Sequence, residues 1–122
     1  MQIVFPTSCK YFMHAGAVDM RKGFDGLSGL VLQYMQEQPL DGSVYIFLNK
    51  HRNRIKLLHW QGDGFALYYK QLEKGTYEIP LHPVDSKSIL LTPEQLQFIL
   101  AGIVLESVRK RRRYQPSSVD KM

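Results

Sequence analysis

Three stretches in the middle of the chain alternate their side chains with a period of two, and this alternation constrains the fold more than any other feature. They cover residues 44–49, 54–60 and 65–70. Such alternation is typical of β-strands, because successive side chains of a strand point to opposite faces. Short polar connections separate the stretches. The pattern therefore predicts an antiparallel meander that opens with a β-hairpin, whose tip is formed by residues 50–53.

Weaker signals predict two more short strands and two helices. The additional strands are expected at residues 11–15 and 77–80. The clearest helix start is Thr92, because Pro93 follows it and Gln95 stands three residues later, which is the pattern of a capping box. Apolar residues then recur on one face of this helix, which is ordinarily the face that packs on a sheet. They are Leu96, Ile99, Leu100, Ile103 and Val104.

The other helix is predicted to run from about Asp19, whose carboxylate can cap it, to about Gln38, before Pro39. Three glycines, Gly23, Gly26 and Gly29, lie along one side of it. Each glycine costs helix stability of ~1 kcal/mol relative to alanine, so a compensating reason is expected. Close approach of another backbone is the preferred explanation, and an irregular first turn is the alternative.

These elements predict an α+β domain, with a small antiparallel β-meander of three to five strands packed with two main helices. At 122 residues, with 44% hydrophobic and 22% charged side chains, the chain has the composition of one globular domain. We expect that domain to cover residues 1–108. Residues 109–122 are expected to form a basic, flexible C-terminal tail.

Positive charge is clustered along the chain. Sixteen Lys and Arg residues stand against eleven Asp and Glu residues, for a net charge of +5. One cluster is Lys50, Arg52, Arg54 and Lys56, and the other is the run Arg109, Lys110, Arg111, Arg112 and Arg113. Clustered cations favour nucleic-acid phosphates, because each neutralised phosphate releases condensed counterions. The alternative is that both clusters are merely solvated surface.

Two further groups of residues fit an anionic partner. Arg21 and Lys22 stand in the first turn of the predicted helix, where the helix dipole disfavours cations, so they are candidates for a phosphate or carboxylate site. Alternatively, both reach out to surface acids. Four aromatic residues are expected to share a sheet face with Arg54, Lys56 and Lys70, where they would stack on bases, contact a protein partner, or fill a core under a helix. They are Tyr45, Phe47, Trp60 and Tyr68.

Patterns that carry catalysis or bind metals are missing from the sequence. The single cysteine, Cys9, has no partner at ligand spacing, and the four histidines are scattered. The serines stand in no nucleophile motif, and there is no glycine-rich phosphate loop. We therefore expect no enzyme, no metal and no cofactor. Without a signal peptide or an apolar run that crosses a bilayer, the chain is expected in the cytoplasm, with no membrane partner.

Several motifs, in order along residues 11–104, match those of one protein family. They are Asp19-Met20-Arg21-Lys22-Gly23-Phe24-Asp25-Gly26-Leu27, Val44-Tyr45-Ile46-Phe47, Arg54-Ile55-Lys56-Leu57-Leu58 before Trp60, Leu72-Glu73-Lys74-Gly75, and Leu91-Thr92-Pro93-Glu94-Gln95-Leu96. With them the chain resembles the TnpB (Orf2-type) accessory proteins of the insertion sequence sixty-six family. One departure is Gln61, where the family usually carries an aspartate.

The resemblance implies a cytosolic bacterial protein that assists transposition. Its gene would lie beside those of a DDE-type transposase and another small open reading frame, and the transposase would carry out the strand chemistry. Two hypotheses follow: a factor whose clustered cations bind DNA at the element ends, or an adaptor that docks on the transposase through the sheet aromatics or the glycine side of the first helix. A third is a small metal-dependent nuclease using Asp19, Asp25, Asp63 and Glu73.

Overall fold

The computed structural model describes residues 6–102 and contains two helices and one five-stranded sheet. In chain order the elements are β1 (Tyr11–His14), α1 (Phe24–Gln33), β2 (Val44–Leu48), β3 (Arg54–Trp60), β4 (Phe65–Gln71), β5 (Ser88–Leu91) and α2 (Pro93–Ala101). The strands are ordered β4-β3-β2-β1-β5. Only the β1–β2 pair is parallel, and the other three pairs are antiparallel. This arrangement confirms the predicted α+β fold, with the meander β2–β3–β4 forming one end of the sheet.

Each face of the sheet is covered by one helix. On one face, Leu27 and Val31 of α1 pack with Leu58 of β3. On the other face, Leu96 and Ile99 of α2 pack in a second buried cluster around β1 and β2. Because both faces are covered, all five residues of β2 are buried, and its alternating pattern separates aliphatic side chains from aromatic ones rather than core from solvent.

The start of α2 is as predicted. The hydroxyl of Thr92 accepts a hydrogen bond from the Gln95 backbone N–H at 3.0 Å, and the Gln95 side-chain oxygen accepts one from the Thr92 N–H at 2.9 Å. The helix ends at Gly102, whose left-handed φ of 81° suits glycine. Of the predicted apolar face, Ile103 and Val104 lie outside the described residues.

The predicted bounds of α1 are wrong at both ends. The helix starts at Phe24, with Gly23 as an extended N-cap, and not at Asp19. It ends at Gln33, ahead of Pro39, because the backbone turns at Gln36 with a left-handed φ of 58°. The N–H of Glu37 then bonds back to the carbonyl of Val31 at 2.9 Å, which satisfies one of the last helical carbonyls.

The explanation of the glycines by backbone approach is also wrong within the described part of the chain. A Cβ added at Gly23 or Gly29 would meet nothing within 4 Å, and one at Gly26 would meet only the Lys22 side chain, at 3.2 Å. The alternative of an irregular first turn fits Gly23, which is the cap residue itself.

The fifth strand comes from a segment that the sequence pattern did not single out. Residues 77–80 form no strand, although the Tyr77 N–H bonds to the Arg52 carbonyl at 2.7 Å. The strand that completes the sheet is instead β5, which pairs with β1 just before α2 begins. Neither helix within residues 6–102 has the length and apolar character needed to span a membrane.

Candidate nucleic-acid interface

Two loops that are distant in sequence meet where β2 ends. The segment between β1 and α1 is anchored there by Val18, whose N–H donates to the Leu48 carbonyl at 2.9 Å. The hairpin loop between β2 and β3 begins one residue later, at Asn49. The loop that carries Arg21 and the loop that carries Lys50 are therefore brought together by the sheet.

The hairpin loop is held in one conformation by Asn49. Its side-chain oxygen accepts hydrogen bonds from the backbone N–H groups of Asn53 and Arg54, at 3.0 and 2.9 Å. Its amide group donates to the Asn53 side chain at 2.7 Å. Arg52 completes the turn with a left-handed φ of 58°. The basic side chains of this loop thus project from a preformed turn.

A cleft of about 430 Å³ lies between the two loops. It is lined by Val18, Asp19, Met20, Arg21, Asn49, Lys50, His51, Arg54 and Tyr69. Three of the cations predicted from sequence, Arg21, Lys50 and Arg54, therefore share one cavity, and a single carboxylate accompanies them. Lys22 and Arg52 are exposed but do not line it.

The carboxylate of Asp19 is paired with Arg21. The guanidinium Nη2 lies 2.7 Å from Asp19 Oδ2, and the Arg21 backbone N–H donates to Oδ1 at 2.9 Å. The hydrogen bonds from the Arg21 side chain, together with that backbone N–H, hold the pKa of Asp19 well below its usual range. Asp19 therefore shapes this loop instead of capping a helix, and the cleft retains an excess of positive charge from Lys50 and Arg54.

Lys56 is not available to a phosphate, contrary to its predicted role. Its side chain is buried, with 6% exposure, and its ammonium group donates to the carbonyls of Met20 and Lys22 at 2.7 and 2.8 Å. The same ammonium lies 4.6 Å from the centre of the Tyr69 ring. Lys56 therefore fastens the Arg21 loop to the sheet.

Tyr45 and Phe47 belong to the core. Both are fully buried in the cluster under α1, which is the core alternative considered for them. Burial raises the pKa of Tyr45, with the nearby Asp41 carboxylate adding to the effect, and its hydroxyl donates to the Gln38 carbonyl at 3.0 Å. Neither ring is free to stack on a base.

Tyr68 and Lys70 lie on the opposite face of the sheet from Lys56, so their predicted placement is wrong. The turn between β3 and β4 pairs Trp60 with Phe65, which sets Tyr69, and not Tyr68, opposite Lys56. Tyr68 packs instead against the cluster under α2, and this burial raises its pKa. The signal in the sequence is the length of the turn. Its four residues, 61–64, set the pairing register that places Tyr69 opposite Lys56.

Trp60 lies at the far end of β3 from Arg54 and is half-buried. Its ring meets that of Phe65 edge to face, with centroids 5.0 Å apart, and Phe65 in turn stacks on Phe24 at 6.5 Å. Trp60 thus contacts Phe65, which packs against the core below α1, and it does not line the cleft.

Two predicted features remain, the basic run and the acidic residues of the nuclease hypothesis. Arg109, Lys110, Arg111, Arg112 and Arg113 fall outside the described residues. Within residues 6–102, no three His, Cys, Asp or Glu side chains are grouped so that they could hold a metal ion. That part of the chain therefore offers no acidic cradle for the nuclease hypothesis.

Comparison with known proteins gives one family and two relatives. The family model described as IS66 Orf2 like protein matches residues 9–110, which confirms the resemblance drawn from the motifs. "Uncharacterized protein y4jC" of Sinorhizobium fredii (strain NBRC 101917 / NGR234) is 30% identical over 102 residues, which cover 84% of this chain and 86% of the relative. "Uncharacterized protein y4hO" of the same strain is 30% identical over 94 residues, covering 77% and 80%. No solved structure matches the chain.

Proposed function

Because the chain belongs to the family of IS66 Orf2-like proteins, which are accessory proteins of insertion sequences, we propose that it assists transposition by binding DNA at the element ends. The contact surface is the basic cleft, with Arg21, Lys50 and Arg54 on its walls and Lys22 and Arg52 exposed outside it. The run at residues 109–113 adds sequence-independent attraction to phosphates.

One observation carries this proposal: Lys50 and Arg54 line a cleft whose single carboxylate, Asp19, is already paired with Arg21. Exposed cations scattered at random on a basic protein are usually balanced by neighbouring acids, whereas gathered cations create the local field that attracts a polyanion. In this proposal the protein is not an enzyme and uses no cofactor. The DDE-type transposase performs the strand chemistry, and the protein acts beside it in the bacterial cytoplasm.

The test is a salt titration of binding to duplex DNA that carries an element end. For the intact chain, log K should fall linearly with log salt by about 0.9 per phosphate contact. Replacing Lys50 and Arg54 together by alanine should reduce that slope by up to about 2. The matched control, Lys70→Ala with Lys74→Ala, removes the same charge from residues that do not line the cleft. Equal losses in both variants, or a flat salt response of the intact chain, would contradict the proposal.

A second candidate is an adaptor that joins the transposase, or the product of the companion small open reading frame, without binding DNA itself. The observation in its favour is the open edge of the sheet at β5, which has no strand beyond it within residues 6–102. Leu90 on this strand is 63% exposed. An edge strand with unpaired backbone groups is a common place for a partner chain to add.

A further inference from the structure

Tyr69 presents an aromatic ring to the basic cleft. It is 48% exposed, in the exposed C-terminal part of the edge strand β4, and it lines the cleft together with Arg54 and Lys50. The neighbouring Tyr45 and Phe47 on the same side of the sheet are fully buried. Tyr69 is therefore the one sheet aromatic among residues 6–102 that is both more than a third exposed and placed beside the cleft cations.

The ring is held in position from one side. The Lys56 ammonium lies 4.6 Å from its centre, and that ammonium is itself fixed by two backbone carbonyls. A cation over a ring is attracted by the negative face of the π system. The ring is thus oriented before any ligand binds, which lowers the entropy cost of using its exposed surface.

Arg54 is placed to act together with this ring. The registered pairs are Lys56 with Tyr69 and Arg54 with Gln71, so Arg54 and Tyr69 are diagonal neighbours on one face of two adjacent strands. Diagonal neighbours lie about 7–8 Å apart, which long side chains span. A flat surface for stacking therefore lies within one side-chain length of a phosphate-binding cation.

This combination suits an unpaired nucleotide. Bases stack on exposed aromatic rings when they are not already stacked in a duplex, while cations follow the phosphates. We propose that the cleft binds an unpaired nucleotide of single-stranded DNA, with its base stacked on Tyr69 and its phosphate contacted by Arg54 and Lys50.

This inference rests on the proposed DNA binding and specifies which form of DNA the cleft accepts. Unpaired nucleotides arise at element ends when the two strands separate during transposition. The inference assigns base stacking on Tyr69 to those strands, whereas Lys50, Arg54 and the cations outside the cleft attract the phosphates of either form of DNA.

The test compares a 12-nucleotide single strand with the corresponding duplex, using the full chain and fluorescence anisotropy at low salt. Tyr69→Leu should weaken binding of the single strand by about 5- to 100-fold, the range for loss of one stacked base, and change duplex binding less than about twofold. Tyr69→Phe keeps the ring and should bind as the intact chain does. The matched control is Tyr34→Leu, since Tyr34 is also a half-exposed tyrosine with a lysine, Lys87, over its ring, but it does not line the cleft.

A second measurement reports stacking directly. A 2-aminopurine base in the single strand should be quenched on binding to the intact chain and to Tyr69→Phe, and not on binding to Tyr69→Leu. Should Tyr69→Leu fail to fold, Tyr69→Trp replaces it and should bind the single strand at least as tightly as the intact chain. Weaker binding of Tyr69→Trp, unquenched 2-aminopurine, or tighter binding of an RNA strand of the same sequence would each overturn the inference.

Failure of the inference is distinguishable from failure of the proposed function. If Tyr69→Leu leaves both forms of DNA unaffected while Lys50→Ala with Arg54→Ala still reduces the salt dependence, the cleft binds DNA without stacking. If neither form of DNA binds in a salt-dependent way, the proposed function itself is wrong.

Discussion

His14 is a titratable side chain that the fold buries, and among residues 6–102 no acidic side chain forms an ion pair with it. Only 6% of it is exposed, and its ring stacks on Tyr34 with centroids 4.6 Å apart. The Gly16 N–H donates to its Nδ1 at 3.1 Å. Burial lowers the pKa of His14, because a charged imidazolium loses its hydration there. The ammonium group of Lys87 lies 5.6 Å from the Tyr34 ring centre.

We expect the stability of the protein to fall as the pH drops below about 6.5, the ordinary histidine pKa. In that range the His14 imidazole is protonated in the unfolded chain but stays largely neutral in the folded one. Lowering the pH therefore favours unfolding. Above this pH both states are neutral and the contribution is complete. The slope for one proton is at most about 1.4 kcal/mol per pH unit.

Urea unfolding between pH 7.5 and 5 checks this expectation. His14→Gln should show a weaker pH dependence than the intact chain, whereas His51→Gln, in an exposed loop, should reproduce the intact profile. Identical slopes for His14→Gln and the intact chain would show that another group is responsible.

Residue identity alone predicts which cations are candidates for binding phosphate, but it does not predict which of them are accessible to a phosphate. Lys50 and Arg54 line the cleft as expected of a basic hairpin, while Lys56, two residues further along, is buried. The difference is created by the carbonyls of Met20 and Lys22, which lie 36 and 34 residues away in sequence. Long-range acceptors of this kind leave no local signal.

At the level of elements, sequence patterns succeeded where local chemistry decides the structure. The meander β2–β3–β4 follows from period-two alternation, and α2 follows from the capping box at Thr92. The sequence patterns failed where tertiary contacts decide the structure. The segment before α1 is held by Lys56 and by the Val18–Leu48 hydrogen bond rather than by helix formation, and β5 is a four-residue run that is defined by its pairing with β1.

The tie between β3 and the Arg21 loop can be tested through Lys56. Lys56→Met keeps the length and apolar stem of the side chain but removes the donor, leaving two carbonyls without that partner. Because hydrogen bonds from a charged donor contribute about 1.5–3 kcal/mol each, and such contributions are rarely additive, we expect a loss of about 2–4 kcal/mol in the free energy of unfolding. Chemical denaturation measures it.

Arg54→Met is the matched control on the same strand and face. This side chain is only partly buried, so its replacement should cost less than about 1 kcal/mol in stability while weakening DNA binding. The two variants should therefore separate the role of holding the loop from that of contacting phosphate. Equal stability of Lys56→Met and Arg54→Met would show that the buried ammonium makes no net contribution.

On the scale of the whole molecule, two groups of cations are proposed to attract DNA, those of the cleft and the run at residues 109–113. The net charge is +5, so replacing the five cations of that run by alanine leaves a net charge of 0. Replacing Lys50 and Arg54 instead leaves +3. If the net charge of the molecule alone determined its affinity for DNA, the loss of affinity would be proportional to the number of charges removed.

We expect the two sets of changes to act differently in parallel pull-downs with element-end DNA and with the transposase. The change at residues 109–113 should weaken binding to every DNA sequence alike, because cations that bind phosphates read no base sequence. Lys50→Ala with Arg54→Ala should weaken DNA capture more per charge removed, since these side chains line a shaped site.

Neither change should affect association with the transposase after nuclease treatment, if that contact uses the open edge of β5. Leu90→Lys places a charge on that edge and should reduce transposase capture while leaving DNA capture intact. Retention of the transposase by Leu90→Lys, combined with its loss from the cleft variant after nuclease treatment, would mean that the transposase docks at the cleft and that the adaptor surface is not β5.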